Sequence, residues 1–196
     1  RLLVSNTVPT ELVSYEGERN EMGEPHGRGI SIDTDGDRWE GEFRNGYHDG
    51  HGELFFVNGD RYKGERKRGK NVGRGTYWWT SGQSKGAVYV GEWKDGEAHG
   101  YGIVYFPKDN PDFWKRYEGN FENGQRQGRG TVFYVEDNPV NFESFEGDFV
   151  KGMMIDCNAT ITWKNPSNRY IGQVKNSAAA IGPLVDGPGM YIFPAS

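Results

Sequence analysis

The chain has 196 residues, of which 30 are glycine and only 34% are hydrophobic, yet it carries 6 Trp, 11 Tyr and 11 Phe. Bulky apolar groups that are few, regularly placed and separated by glycine exclude both a large-cored globule and a disordered chain. The net charge of -5, with acidic and basic residues interspersed, leaves no nucleic-acid footprint, and no apolar run approaches the ~20 residues of a membrane helix.

Residues 1–14 read as an N-terminal arm or an added edge strand that covers the open edge of the first hairpin. From Tyr15 onward one unit is rewritten along the chain. Its clearest copy is 38–60: Trp39 to Arg44 alternates large and small side chains as a half-buried strand does, and Asn45-Gly46 supplies a turn. After Gly50-His51-Gly52 the alternation resumes through Leu54 and Phe56, and Asn58-Gly59-Asp60 closes the unit. One copy is therefore a β-hairpin. The aromatic-x-Gly-polar opening recurs at Tyr15, Trp39, Tyr62, Tyr89, Tyr117, Phe145 and Tyr170. The glycines two residues on, Gly17, Gly41, Gly64, Gly91, Gly119, Gly147 and Gly172, succeed one another in steps of 24, 23, 27, 28, 28 and 25 residues. A self-similar unit of this length marks a repeat protein, with units of approximately 15–37, 38–60, 61–87, 88–116, 117–144, 145–169 and 170–196.

The third unit departs from the pattern, with Arg66 in place of the second aromatic. Lys63, Arg66, Lys67, Arg68 and Lys70 make it the one strongly basic stretch, either a site for an acidic partner or anionic lipid headgroups, or a solvated hairpin tip. Trp78 and Trp79 are adjacent on a strand and point to opposite faces, so one of them meets a partner or a loop. The long connection 107–114 brings Phe113 and Trp114 into a polar loop, as a protein contact or folded back on the sheet. Unit six loses its glycine pair, and the last unit carries Ala178-Ala179-Ala180, the decay expected of a capping repeat.

Chemistry is not expected. His26, His48, His51 and His99 are copies spread along an array and do not converge on a metal. Glu18, Glu42, Glu65 and Glu92 are one position repeated, and copies that share an environment cannot divide acid and base roles. No catalytic residue, cofactor or metal is assigned. Cys157 is the only cysteine, so a reducing compartment is expected. The fold expected is all-β: an elongated, single-layer, twisted antiparallel sheet of about seven consecutive hairpins, with the seven aromatics as a ladder on one face.

The unit resembles the MORN repeat over about residues 15–196. The first copy, Arg19-Asn20-Glu21-Met22-Gly23-Glu24 before His26-Gly27-Arg28-Gly29, and the closing Gly187-Pro188-Gly189-Met190-Tyr191-Ile192-Phe193 are similar to the MORN-repeat proteins of ciliary and flagellar radial spoke heads. That resemblance implies a non-enzymatic scaffold in the axonemal cytoskeleton. Its partners would be other spoke-head subunits and, transiently, central-pair projections, in support of motility signals to the dynein arms. The MORN resemblance also implies two other readings: a membrane-apposed scaffold that binds anionic phospholipid through the basic stretch, and the accessory repeats of a larger enzyme.

Overall fold

The computed structural model describes residues 11–164, 168–175 and 184–192. The closing spoke-head signature falls partly outside them, as do Ala178 to Ala180 and residues 1–10 of the expected arm. Two compact units, 1–100 and 101–196, divide the chain, and each is taken by itself.

In the first unit the strands are β1 (Leu12–Arg19), β2 (Pro25–Asp33), β3 (Arg38–Arg44), β4 (Tyr47–Phe55), β5 (Arg61–Lys67), β6 (Lys70–Trp78) and β7 (Val88–Lys94), with β8 (Glu97–Tyr105) crossing the boundary. The second holds β9 (Trp114–Glu122), β10 (Gln125–Tyr134), β11 (Phe142–Val150), β12 (Met153–Met154), β13 (Cys157–Trp163), β14 (Arg169–Lys175) and β15 (Leu184–Ile192). All are strands of one open antiparallel sheet in which spatial order follows chain order, and no helix occurs among the described residues. β12 lies off that path against β11. Of the segment expected as an arm or added edge strand, Leu12 to Ser14 lie in the edge strand β1, where Leu12 and Ser14 pair with Asp33 and Ile32 of β2.

The hairpin turns are written in the sequence. Asn45 and Gly46 both have left-handed backbone, φ 49° and 83°, the two-residue turn whose twist matches the strands it joins. Asp95-Gly96 and Asn123-Gly124 repeat it, but so do Arg68-Gly69 and Lys151-Gly152, where a long side chain occupies the first left-handed site.

Glycine has two further jobs. In the first unit Gly17, Gly29, Gly41, Gly52, Gly64, Gly75 and Gly91 stand in register, strand after strand. Tyr15, Trp39 and Tyr62 each lie across a pair of them. A Cβ on Gly52 would fall 2.5 Å from Trp39 Cζ2, and one on Gly75 would fall 2.6 Å from Tyr62 Cε2. In the second unit Gly119 and Gly130 hold the same relation to Tyr117, and Gly172 and Gly189 to Tyr170. The preceding glycine of each His-Gly-x-Gly-like pair, Gly50 for example (φ 121°), adopts left-handed backbone beside a slip in register between Gly41 and Phe43. That slip is a β-bulge.

A bulge leaves backbone groups without ladder partners, and the repeat's own residues supply them. Trp39 Nε1 donates to the Glu42 carbonyl at 3.3 Å, and the Glu42 carboxylate accepts from the His51 N–H at 2.9 Å. In the first repeat the Tyr15 hydroxyl donates to the Glu18 carbonyl, and the Glu18 carboxylate accepts from the Arg28 N–H. The hydroxyls of Tyr62, Tyr89, Tyr117 and Tyr170 each donate to the carbonyl three residues on. Aromatic-x-Gly-Glu is thus one device: a ring that seats on glycine and a carboxylate that closes the bulge. Phe145 has no hydroxyl to give. In that repeat the Asp148 N–H donates to Cys157 Sγ at 3.3 Å, and the strand opposite β11 is broken into β12 and β13.

Neighbouring repeats are stapled at both ends of the strands. At the tips, the N–H groups of Gly46, Gly69 and Gly96 donate to the carbonyls of Pro25, His48 and Asn71 in the preceding repeat. At the other end Asp37 Oδ1 accepts from the Val57 N–H at 2.9 Å, and Asp60 Oδ1 from the Thr80 N–H at 2.8 Å. No hairpin stands alone, which suits a unit too small to be stable by itself.

Candidate functional site

The ladder face is sealed. Trp39, Tyr62, Tyr89, Tyr117, Phe145 and Tyr170 are all fully buried, whereas Tyr15, at the first edge, is half-buried with its ring edge-on to Phe43. Phe43, Trp93, Phe121 and Phe149 fill the second inward position of their strands. In the third repeat that position belongs to Arg66, and the basic-stretch reading is corrected accordingly: Arg66 is only 5% exposed. Its guanidinium lies 5.4 Å from the Trp39 ring centroid, bonds the Gly69 carbonyl, and has Nη1 3.3 Å from His48 Nδ1. Lys63 is spoken for as well, 2.7 Å from Glu53, and Lys70 stands 3.8 Å from Asp95. Lys67 and Arg68 remain exposed at the tip.

Beside Arg66, His48 is stacked on Trp39 at 5.2 Å and its Nε2 lies 2.9 Å from Ser31 Oγ. Serine bonded to histidine has the outline of a nucleophile and its base, but the third member here is a cation. Arg66 opposes the imidazolium that general-base catalysis must form, and Ser31 and His48 are 1% and 6% exposed. Burial first, and then the Arg66 charge, push the His48 pKa down to about 3. The trio is a core constellation that holds a neutral imidazole. His26 and His51 are exposed and His99 half-buried, and no group of three or more His, Cys, Asp or Glu among the described residues could hold a metal ion.

The aromatics read as partner contacts are mostly occupied by the chain itself. Trp79 packs on Tyr77 at 4.7 Å, with its backbone bonded to Gly86 and Ala87. Phe113 takes left-handed backbone and its carbonyl accepts from the Val135 N–H at 2.9 Å. Trp114 opens β9, edge-on to Phe106 and 4.6 Å from the Arg126 guanidinium. Both are half-buried against the sheet, so a free loop contact is corrected to a folded-back one. Trp78 differs. It lies on the opposite face, half-buried, with the Arg61 guanidinium over its ring at 4.8 Å.

That opposite face is the accessible one. An open trough of about 800 Å³ runs over the floor of Gly17, Gly29, Gly41, Gly52 and Gly64, between walls that include Glu16, Ile30, Glu40 and Lys63 on one side and Arg28, Glu42 and His51 on the other. It is wide and shallow, with charges of both signs, and suits a surface laid along it better than a small molecule enclosed in it. Sequence reasoning missed the inward arginine and the bulge-closing glutamates. The repeat register carried the signal for Arg66, since position 66 aligns with Phe43 and Trp93.

An open sheet of tandem hairpins, most of them sealed by a ring over paired glycines, defines a hairpin-repeat protein. Residues 21–38, 39–61, 62–84, 89–110 and 117–135 match the MORN repeat, over more than half of the chain, which therefore belongs to the MORN-repeat family. The two hairpins beyond residue 135 carry no match, and the first of them has lost the glycine pair. No curated protein matches the chain. MORN repeats suggest a repeat scaffold with a protein- or membrane-binding role, and proteins built from them are typically non-enzymatic scaffolds.

Proposed function

We propose that the chain is a non-enzymatic scaffold subunit of the radial spoke head, acting in the axoneme of cilia or flagella among other spoke-head proteins and in transient contact with central-pair projections. The observation that carries this reading is the first hairpin tip, where the spoke-head-like Arg19-to-Glu24 segment forms a closed knot instead of a two-residue turn. Asn20 Oδ1 accepts from the N–H groups of Met22 and Glu24, its Nδ2 donates to the Glu24 carboxylate, and Arg19 donates to the Gly23 carbonyl at 2.6 Å. Asn20 also reaches Asn45 Oδ1 at 3.3 Å in the next tip. A tip so fixed presents Glu21 and the 86%-exposed Met22 in one geometry, which lowers the entropy a partner must overcome.

Charges of both signs over a shallow face favour encounter and register over tight binding. The test is affinity purification of the tagged full-length protein from ciliated cells, with imaging of the tag. Spoke-head proteins and an axonemal signal are the expected result, reduced by Asn20→Gly with Met22→Ala. Membrane proteins or lipid without an axonemal signal would overturn it.

A further inference from the structure

One row of the accessible face in the first unit has a period of its own. Register places Ile32, Arg38, Phe55, Arg61 and Trp78 side by side on five successive strands, β2 to β6. Apolar groups stand on the second strand of each repeat and arginines between them. The arginines lie over the rings: the Arg38 guanidinium is 5.5 Å from the Phe55 ring centroid, and that of Arg61 is 5.5 Å from Phe55 and 4.8 Å from Trp78. Their charges are cancelled in the neighbouring row, where Glu40 pairs with Arg38 and Glu53 with Arg61 at 2.5 Å. Ile32 is 39% exposed, and Phe55 and Trp78 are half-buried.

We infer that this row docks an uncharged proline-rich segment of a partner protein in the polyproline II conformation; the inference rests on the scaffold reading and names its partner class. Strands lie about 4.8 Å apart, so Ile32, Phe55 and Trp78 recur about every 9.6 Å. Polyproline II repeats every three residues, about 9.3 Å, and so returns the same side to each anchor. Two turns of α-helix span about 10.8 Å and drift out of step by about 2.4 Å over the two intervals. A stripe of aromatic rings with guanidiniums over them is the kind of surface on which proline rings pack, and its balanced charge complements a segment that carries none.

The test is titration of the whole chain with a synthetic 12-residue peptide of repeating Pro-Pro-Leu, against a Gly-Ser-Leu peptide of equal length, read by the Trp78 indole resonance and by calorimetry. Saturable binding of the proline peptide alone is expected, weakened at least tenfold by Phe55→Ala and by Trp78→Ala. Thermal melts report whether those variants stay folded, and the Trp78 shift in the unmutated chain reports the contact without them. No saturation at millimolar peptide, equal binding of both peptides, or affinity unchanged in both folded variants overturns the inference. If the peptide fails while spoke-head proteins still co-purify, the partner class is wrong and the scaffold stands. If neither binds, both readings fall.

Discussion

The ring of Tyr62 lies across Gly75 so closely that a single methyl on that glycine would fall 2.6 Å from Tyr62 Cε2 and 2.7 Å from its hydroxyl oxygen. Glycine there is not a matter of backbone angle, since Gly75 does not have positive φ. It is a matter of room. Gly75→Ala is therefore expected to cost about 3 kcal/mol by overpacking, read as a lowered denaturation midpoint with the denaturant slope unchanged.

Removal of a ring should cost at least as much. Tyr89 is fully buried and its hydroxyl donates to the Glu92 carbonyl at 2.8 Å. Tyr89→Ala should lose about 3–5 kcal/mol and Tyr89→Phe about 1 kcal/mol, the first for the cavity and the second for the orphaned carbonyl. A loss below ~1 kcal/mol for the alanine variant in chemical denaturation would mean that the ladder is not the core.

The bulge-closing carboxylate gives a local prediction. Glu42→Ala strips the His51 N–H of its acceptor, and the expected cost is about 1–2 kcal/mol. Amide hydrogen exchange should show His51 losing protection before its neighbours on β4. Equal protection in both proteins would contradict the role.

His48 makes stability depend on pH. Its folded pKa of about 3 lies below the ordinary 6.5 because of burial and then Arg66. Between those values the unfolded chain binds a proton that the folded chain refuses, so stability is complete above about pH 6.5 and is lost as pH falls. From pH 7 to pH 5 the loss should be about 2 kcal/mol. Melting temperatures of the protein and of His48→Gln across that range check this, and the variant's profile should be flatter.

Arg68 and Lys151 sit in left-handed backbone at φ 47° and 50°, where asparagine is the favoured residue. Arg68→Asn and Lys151→Asn should each stabilise by about 0.5–1 kcal/mol, read as a raised melting temperature.

These residues also show where the sequence is legible. The hairpins are readable because Asn45-Gly46 and the alternation around Trp39 are local facts, fixed by backbone sterics and a period of two. Arg66 is not readable from residue type, because charge argues for water. Only its alignment with Phe43 places it inward, over Trp39. Glu42 looks like a solvated charge until the slip in register between Gly41 and Phe43 exposes the N–H it serves. Trp114 and Phe113 fold back through contacts with Arg126 and Val135, a dozen or more residues away, which no local pattern encodes.

The central claim, that a ring seated on glycine holds each repeat together, is tested most directly by a double-mutant cycle between Tyr62→Ala and Gly75→Ala. If the glycine exists to make room for the ring, the cost of Gly75→Ala disappears once the ring is gone, and the coupling energy reaches about 2–3 kcal/mol. Two costs that add to within about 0.5 kcal/mol would show that ring and glycine act independently, and the account of the repeat would fail.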